Sequence, residues 1–357
     1  MDSQRLEELN SFAVDFLKKL IETPSLSREE SQTADQFTDF FNQKNIPFER
    51  IKNNVFAKNK NFDAALPTIL LNSHHDTVKP NISYTKDPFK AQIADGKLFG
   101  LGSNDAGGPL VSLLATFLYF YEKENLAFNL VFAASAEEEI SGVNGMELLV
   151  KHLPKIDLAI VGEPTLMDMA VGEKGLLVLD VTAKGIAGHA ARNEGKNAIY
   201  EALEDIEWFK KYEFAKVSKS LGPIKMSVTQ INAGSQHNVV PDVCSFVVDV
   251  RATDAYTLEE TLEIIKSSVK SEVKPRSVRL QPSGIAMEHP IVQKGLSLGM
   301  KAYGSPTLSD QALMPYKSIK IGPGDSARSH TADEFIYLQE IKSGIEKYIE
   351  LLEALSL

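Results

Sequence analysis

Cysteine is almost absent from this sequence, because Cys244 is the only one in 357 residues. A single thiol excludes an internal disulfide and a zinc site built from cysteines. Long hydrophobic runs are also missing, since no window approaches the ~20 apolar residues that a membrane span needs. The opening segment MDSQRLEELNSF lacks the basic and then apolar layout of a signal peptide. We therefore expect a cytoplasmic protein that does not cross a membrane.

Basic residues are outnumbered by acidic ones, with 38 Lys and Arg against 48 Asp and Glu and a net charge of -10. This balance argues against nucleic acid as a partner, because phosphate binding needs clustered Lys and Arg. The composition, 43% hydrophobic and 24% charged, is typical of a globular protein. The length allows one large domain or two ordinary ones with an ample core.

Apolar strands alternate with helices in the first part of the chain, which predicts an α/β fold with a mostly parallel sheet. Three apolar runs are typical of buried strands: TILLN at 68–72, NLVFAAS at 129–135 and DLAIV at 157–161. Helices are predicted at 4–22, from the Ser27-Arg28-Glu29-Glu30 cap to about 42, and at 110–121, with a strand pair at 48–58.

The pattern changes near Lys174. Alternating strands at 176–183, 224–231, 244–251 and 277–281, with helices at 197–212 and 258–269, predict a small α+β sandwich. Beyond Ser283 the first pattern returns, with a helix at 291–303, a strand at 317–322 and a closing helix at 335–355. The prediction is one discontinuous α/β domain, 1–173 and 284–357, that carries an insert at 174–283.

Residues of the kind that bind metals follow the predicted strands or precede helices of the larger domain. They are His74, Asp105, Glu139, Glu163 and His330. Taken singly, each is more often structural, and a run such as Glu137-Glu138-Glu139 is more often a solvated loop. Together they indicate a site for zinc-class ions, in which one bridging carboxylate serves two metals. Neighbouring glutamates on an extended strand end point in different directions, which leaves Glu138 to face the substrate.

The same positions form five motifs in a fixed order: His74-His75-Asp76-Thr77-Val78, Asp105, Glu137-Glu138-Glu139, Gly162-Glu163-Pro164-Thr165 and His330. In this order they resemble the dinuclear zinc aminoacylase and carboxypeptidase family, which contains acetylornithine deacetylase, succinyl-diaminopimelate desuccinylase and glutamate carboxypeptidase. The resemblance covers essentially the whole chain. It implies a zinc-hydrolase catalytic domain and two divalent ions per chain, zinc or in its place cobalt.

The resemblance also implies roles for these residues. His74, Asp105 and Glu163 would hold one ion, and Asp105, Glu139 and His330 would hold the other. Asp76 would orient His74, and Glu138 would be the general base that takes a proton from water and passes it to the leaving amine.

In the insert, Gly185-Ile186-Ala187-Gly188-His189-Ala190-Ala191 resembles the segment whose histidine reaches the active site of the partner subunit. The insert would then be the dimerisation or lid domain of a homodimer, with His189 supporting the carbonyl oxyanion. Asn238 and Arg251 fall in stretches that resemble those binding the substrate carboxylate. Without the resemblance, Arg251 at a strand end would be an ordinary surface charge.

The chain departs from the family pattern at three places. Ser73 stands where glycine usually precedes the first histidine, Ala106-Gly107-Gly108 replaces x-Lys-Gly, and Glu137 stands where aspartate is commoner. None of these changes removes a ligand or the base.

The function that the resemblance implies is hydrolysis of a linear amide bond, with removal of the acyl group from a small N-acyl amino acid by water. The compact lid and the Gly-Glu-Pro-Thr motif favour an acetylornithine deacetylase-like enzyme of arginine biosynthesis, acting on N-acetyl- or N-succinyl-ornithine or citrulline. The alternatives are a succinyl-diaminopimelate desuccinylase, a dipeptidase or tripeptidase, and a non-catalytic relative. A non-catalytic relative is expected to lose Glu138 or a ligand, and this chain keeps all of them.

Overall fold

A computed structural model describes residues 2–192 and 194–357. Within these residues the helices are α1 (Ser3–Ile21), α2 (Ser31–Gln43), α3 (Gly108–Phe120), α4 (Met146–Leu149), α5 (Ala198–Lys211), α6 (Leu258–Ser268), α7 (Pro290–Ser297) and α8 (Leu338–Leu352). The strands are β1 (Phe48–Ile51), β2 (Asn54–Lys58), β3 (Thr68–His74), β4 (Gln92–Ala94), β5 (Lys97–Phe99), β6 (Asn129–Ser135), β7 (Leu158–Val161), β8 (Met169–Glu173), β9 (Gly175–Lys184), β10 (Gly188–His189), β11 (Lys225–Ala233), β12 (Val239–Val240), β13 (Val243–Ala252), β14 (Glu272–Pro275), β15 (Ser283–Gly284), β16 (Ala302–Ser305), β17 (Ser318–Lys320) and β18 (Phe335–Tyr337).

The large sheet has the strand order β1-β2-β6-β3-β7-β17-β8-β15, with β16 also paired to β8. Its centre is parallel, because β3 pairs in parallel with both β6 and β7, and β17 pairs in parallel with β7. Every residue of β3 and β6 is buried, as expected for strands covered on both faces. The predicted mostly parallel α/β fold is confirmed.

Side chains of the central strands alternate between two hydrophobic clusters. Ile69 and Leu71 pack with helices α1, α2, α3 and α8 in one cluster, while Leu70 packs with Met146 and Leu149 of α4 in the other. This is the period-2 alternation of a strand. Helix α1 contributes an apolar face because its buried residues recur at helical spacing, and the Asp2 side chain accepts a hydrogen bond from the Gln4 N–H at its start.

A second sheet is antiparallel, with the order β11-β13-β9-β14, and its cluster includes buried residues of α5 and α6. The chain divides into two compact units: Met1–Val171, Gly284–Tyr303 and Ser309–Leu357 form the first, and Gly172–Ser283 and Gly304–Leu308 form the second. The roles we predict for the two regions, catalytic for 1–173 and 284–357 and dimerising for 174–283, stay predictions. No helix in the described part of the chain is long and apolar enough to span a membrane.

Several sequence-based boundaries are wrong. The predicted helix at 291–303 ends at Ser297, because Gly299 has a φ of +82° and the following residues turn into β16. The predicted strand at 277–281 is absent and β14 lies at Glu272–Pro275 instead. Within 277–281, the Gln281 side chain donates a hydrogen bond to the carbonyl of Val278, so this segment forms a turn.

The closing helix begins at Leu338, later than predicted, because Phe335–Tyr337 form β18 and pair with β5. The second helix begins at Ser31 and its N-cap residue Glu30 makes no side-chain cap, so the predicted cap at Ser27 is also wrong.

Candidate metal centre

The central strands carry the predicted ligands at one edge of the sheet. β6, β3, β7 and β17 are neighbours and run parallel, so their carboxyl ends meet. His74 is the last residue of β3, Glu138 and Glu139 follow β6, Glu163 follows β7, and His330 lies in the segment after β17. Asp105 lies in the turn Ser103–Gly107 that precedes α3, and its peptide bond to Ala106 is cis.

Asp105 stands between two imidazoles. Its Oδ1 atom lies 3.3 Å from Nε2 of His74, and its Oδ2 atom lies 3.5 Å from Nε2 of His330. Each oxygen of one carboxylate therefore faces a different histidine. A carboxylate that bridges two ions requires this arrangement.

The other acidic groups approach the same two imidazoles. His74 Nε2 lies 3.8 Å from Oε1 of Glu163 and 4.0 Å from Oε2 of Glu138, while His330 Nε2 lies 2.9 Å from Oε2 of Glu139. Candidate ligand atoms lie within 4.8 Å of one another in two groups, His74 with Glu138 and Glu163, and His74 with Asp105 and Glu139.

Four carboxylates converge on two imidazoles, and the repulsion among the carboxylates favours the binding of cations. Oxygen and imidazole donors without a thiolate suit zinc-class divalent ions. The residues present therefore fit a dinuclear centre. The resemblance assigned Glu163 to the ion of His74 and Asp105, and Glu138 lies almost as near to His74 as Glu163 does.

Asp76 joins His74 to the glutamate turn. Nδ1 of His74 lies 3.0 Å from the carbonyl oxygen of Asp76 and 3.4 Å from its carboxylate. The same carboxylate accepts the N–H groups of Glu138 and Glu139, at 3.0 and 3.3 Å, and the hydroxyl of Ser27 at 2.7 Å. Burial alone would raise the pKa of Asp76, but these hydrogen bonds and the charge of His74 hold the pKa below its usual value.

The sequence suggested that the three glutamates extend the strand, but the structure shows that they do not. Glu137 has a left-handed backbone, and Glu138–Ile140 form a short 3-10 turn. The Glu137 carboxylate accepts a hydrogen bond from the Asn144 side chain at 2.9 Å, whereas Glu138 faces His74 and Glu139 faces His330. The turn, and not strand alternation, separates the directions of the three side chains.

Glu138 is a buried acid beside His74. Its side chain is 14% exposed, and burial, followed by the charges of Glu163, Asp310 and Glu139, raises its pKa well above the usual value against the opposing charge of His74. Perturbed carboxyls of this kind concentrate at functional sites. Burial also raises the pKa of Asp310 to about 6, although Ser135 and Asn72 donate hydrogen bonds to it.

Two buried acids near the site were missed in the sequence. Asp310 precedes no predicted element and carries no motif. Glu334, four residues after His330 in HTADE, is 2% exposed and accepts backbone N–H groups of the Asp105 turn. Burial and the charge of Asp105 raise the pKa of Glu334 to about 8. The only signal for Glu334 was its closeness in sequence to a predicted ligand.

The remaining predicted residues belong to the second unit. His189 pairs with Val239 in the short β10–β12 ladder, and the N–H of Ala190 donates to the carbonyl of Asn238, so His189 and Asn238 lie on adjacent segments. Arg251 lies in β13 and its guanidinium makes two hydrogen bonds, of 2.9 and 3.1 Å, to the Asp249 carboxylate.

Comparison with known proteins gives the family. The sequence profile of peptidase family M20/M25/M40 matches residues 70–354. The chain belongs to this family. It is a hydrolase of amide bonds, as the resemblance implied.

Among its relatives, the succinyl-diaminopimelate desuccinylase of Corynebacterium glutamicum is 25% identical and the match covers 91% of both chains. The acetylornithine deacetylase of Buchnera aphidicola is also 25% identical, over 96% of this chain and 98% of the relative. The crystal structure of aminopeptidase PepT from Bacillus cereus has a TM-score of 0.76 and 17% identity, over 96% of this chain and 98% of that one. The family chemistry is therefore shared by relatives with different substrates.

Proposed function

We propose that this protein is a dinuclear, zinc-dependent amidohydrolase that releases a free amino acid from an N-acyl amino acid. The observation that carries the proposal is the pair of imidazoles, His74 and His330, facing opposite oxygens of Asp105. Two divalent ions in such a centre lower the pKa of water and polarise the scissile carbonyl. His74, Asp105 and Glu163 would hold one ion, and Asp105, Glu139 and His330 the other.

Glu138 supplies the proton transfer. Its carboxylate accepts the proton of the attacking water and then donates it to the leaving nitrogen, so that the amide C–N bond breaks as an amine departs. A raised pKa suits the first step, because it makes the carboxylate a stronger base towards water. Asp76 keeps Glu138 in place through the backbone hydrogen bond described above.

Substrate recognition is assigned to the second unit. Asn238 and Arg251 would bind the α-carboxylate of the substrate, and His189 of a homodimer partner would support the developing oxyanion. Because Arg251 already contacts Asp249, the substrate carboxylate would join an existing ion pair. This arrangement favours substrates with a free carboxylate beside the scissile amide over simple amides.

The substrate we favour is N-acetyl- or N-succinyl-ornithine or citrulline, which would place the enzyme in arginine biosynthesis. The support is the compact insert, the Gly-Glu-Pro-Thr form of the fourth motif and a relative named acetylornithine deacetylase. A relative named succinyl-diaminopimelate desuccinylase makes that substrate the first competitor.

The proposal is tested by measuring hydrolysis of N-acetyl and N-succinyl derivatives of ornithine, citrulline and diaminopimelate, with dipeptides and tripeptides as controls. We expect the highest kcat/KM on an acyl-ornithine or acyl-citrulline. A preference for peptides would contradict the proposal and indicate a peptidase. Arg251→Ala should lower kcat/KM for N-acyl amino acids by the equivalent of roughly 2–5 kcal/mol, the loss typical of a charge-assisted contact. Arg276→Ala, which removes a similar guanidinium–carboxylate pair with Asp180 in the same unit, is the matched control and should leave kcat/KM unchanged.

A further inference from the structure

Glu334 is a buried acid with an unusual set of partners. Its Oε1 atom accepts the N–H groups of Asn104 and Asp105, at 2.7 and 2.9 Å, and its Oε2 atom accepts the N–H of Gly102 at 3.2 Å. The carbonyl oxygen of Glu334 also accepts the N–H of Gly100 at 3.0 Å. One side chain thus satisfies three donors of the turn that carries the shared carboxylate.

No lysine or arginine of the described residues pairs with the Glu334 carboxylate. A buried carboxyl group without a cation beside it carries a desolvation cost, and it is retained where its hydrogen bonds serve a purpose. Gly102 has a φ of +74°, and its N–H and those of Asn104 and Asp105 converge on one point, which makes a backbone concavity suited to carboxyl oxygens. Glu334 fills this concavity with a side chain of the same chain.

The segment that carries Glu334 also carries His330. Asn104 joins the two segments a second time, since its side chain donates to the carbonyl of Asp325 at 3.0 Å and accepts the Asp325 N–H at 3.1 Å. The same segment is anchored to α8 by Arg328, whose guanidinium makes two hydrogen bonds, of 2.9 and 2.6 Å, to Glu340. The position of Asp105 is therefore tied to the segment that bears His330.

We propose that Glu334 is a positioning residue that holds Asp105 in a fixed position relative to His330. The two oxygens of Asp105 are then already oriented towards the two ion positions in the metal-free protein. This inference rests on the proposed dinuclear centre and adds a residue that touches neither metal nor substrate. Its consequence is a preorganised site, in which little loop ordering has to accompany metal binding.

The test compares Glu334→Gln with Asp205→Asn. Asp205 is also a buried acid, and its two oxygens accept the N–H groups of Lys270 and Ser271 at 3.0 and 2.8 Å. In both variants an amide NH2 replaces one accepting oxygen and opposes a backbone N–H. The two changes are therefore matched in chemistry and in the cost of a lost acceptor, but only Glu334 contacts the Asp105 turn.

Zinc affinity is measured by chelator competition on metal-free protein, together with the melting temperature and the visible spectrum of the cobalt-loaded form. We expect Glu334→Gln to weaken zinc binding roughly 10- to 100-fold, the range for residues that orient metal ligands, and to alter the cobalt spectrum. Asp205→Asn should lower the melting temperature without changing zinc affinity or the spectrum.

Wild-type zinc affinity and an unchanged cobalt spectrum in folded Glu334→Gln protein would overturn the inference and leave the proposed function intact. A wild-type protein that binds no divalent metal would overturn both. If Glu334→Gln does not fold, Asn104→Ala takes its place, because it separates the same turn from Asp325 while leaving the Glu334 carboxylate in position. Weaker zinc binding in that variant supports the coupling of the two segments, and unchanged binding contradicts it.

Discussion

Nε2 of His330 lies 2.9 Å from Oε2 of Glu139, although 191 residues separate them in sequence. The hydrogen bond to Glu139 raises the pKa of His330 to about 9 in the metal-free protein, so the imidazole is protonated at neutral pH. Metal binding at this position has to displace that proton, because a histidine ligand must be neutral. If this pair lies at one end of the proposed dinuclear centre, the metal affinity of that centre depends on pH.

Asp105→Ala should weaken the binding of both ions, because the two oxygens of Asp105 face different histidines. The loss should exceed the roughly 10- to 100-fold effect of removing an orienting residue. Calorimetric zinc titration checks this, with Asp39→Ala on the exposed side of α2 as the control. Loss of one ion with normal binding of the other would show that the carboxylate does not bridge.

Glu138→Gln should retain both metals and the fold but lose turnover by at least about 10²–10⁴, the usual contribution of a general base. The amide keeps the size of the side chain and cannot accept a proton. Glu137→Gln is the matched control, since the Glu137 carboxylate contacts Asn144 and not the imidazoles. Steady-state kinetics on the best substrate would refute the assignment if Glu138→Gln turned over normally.

The contribution of His75 to the stability of the metal-free protein should fall as pH decreases from about 6.5 to about 4. The buried acids with raised pKa values act in the opposite direction over this range. His75 is buried between the Thr33 hydroxyl and the Asn53 carbonyl, and its burial lowers its pKa to about 4. Between the two pKa values the unfolded chain binds a proton at this histidine and the folded chain does not, so the free energy of unfolding rises with pH. The contribution is about 3 kcal/mol over this window.

Urea denaturation at a series of pH values in chelator measures this dependence. The difference in unfolding free energy between wild type and His75→Gln should change by about 3 kcal/mol across that window, whereas the difference for His152→Gln, at an exposed position, should stay constant. An equal pH dependence in wild type and His75→Gln would mean that other groups cause it.

If His189 acts on the partner's active site in a homodimer, two inactive variants should complement each other. In a mixed dimer of His189→Ala and Glu138→Ala chains, one site contains an intact Glu138 and receives an intact His189 from the other chain. Activity should reappear after mixing and re-equilibration, and sedimentation should show dimers. A fully active monomer, or no recovery in verified mixed dimers, would contradict this role.

The sequence predicted the parallel centre of the sheet because β3, β6 and β7 are continuous apolar runs, and a run of that kind has few alternatives in a globular protein. Short elements were less predictable. β18 reads as the start of α8, and only its pairing with β5, which is distant in sequence, makes Phe335–Tyr337 extended. Gly299, which has a positive φ, is a common signal for the end of a helix. The apolar residues that follow it led the prediction to extend the helix too far.

At the site, residue types that bind metals could be found because they follow predicted strands. The supporting contacts could not be found in this way. Glu334 and Asp310 act through hydrogen bonds to segments 229 and 238 residues away, and no local pattern marks such partners. The direction of the Glu137 side chain also depends on the left-handed backbone of Glu137. Three identical glutamates in a row give no sign of which one adopts that conformation.

In the mechanism we propose, amide hydrolysis needs two divalent ions held about a common Asp105 carboxylate. Metal-free protein titrated with zinc, with bound metal and hydrolysis of N-acetylornithine followed together, tests it most directly. We expect saturation at two ions per chain, with activity that rises as the ions bind and is abolished again by chelator. Saturation at no ion or one, or full activity in metal-free protein, would contradict it.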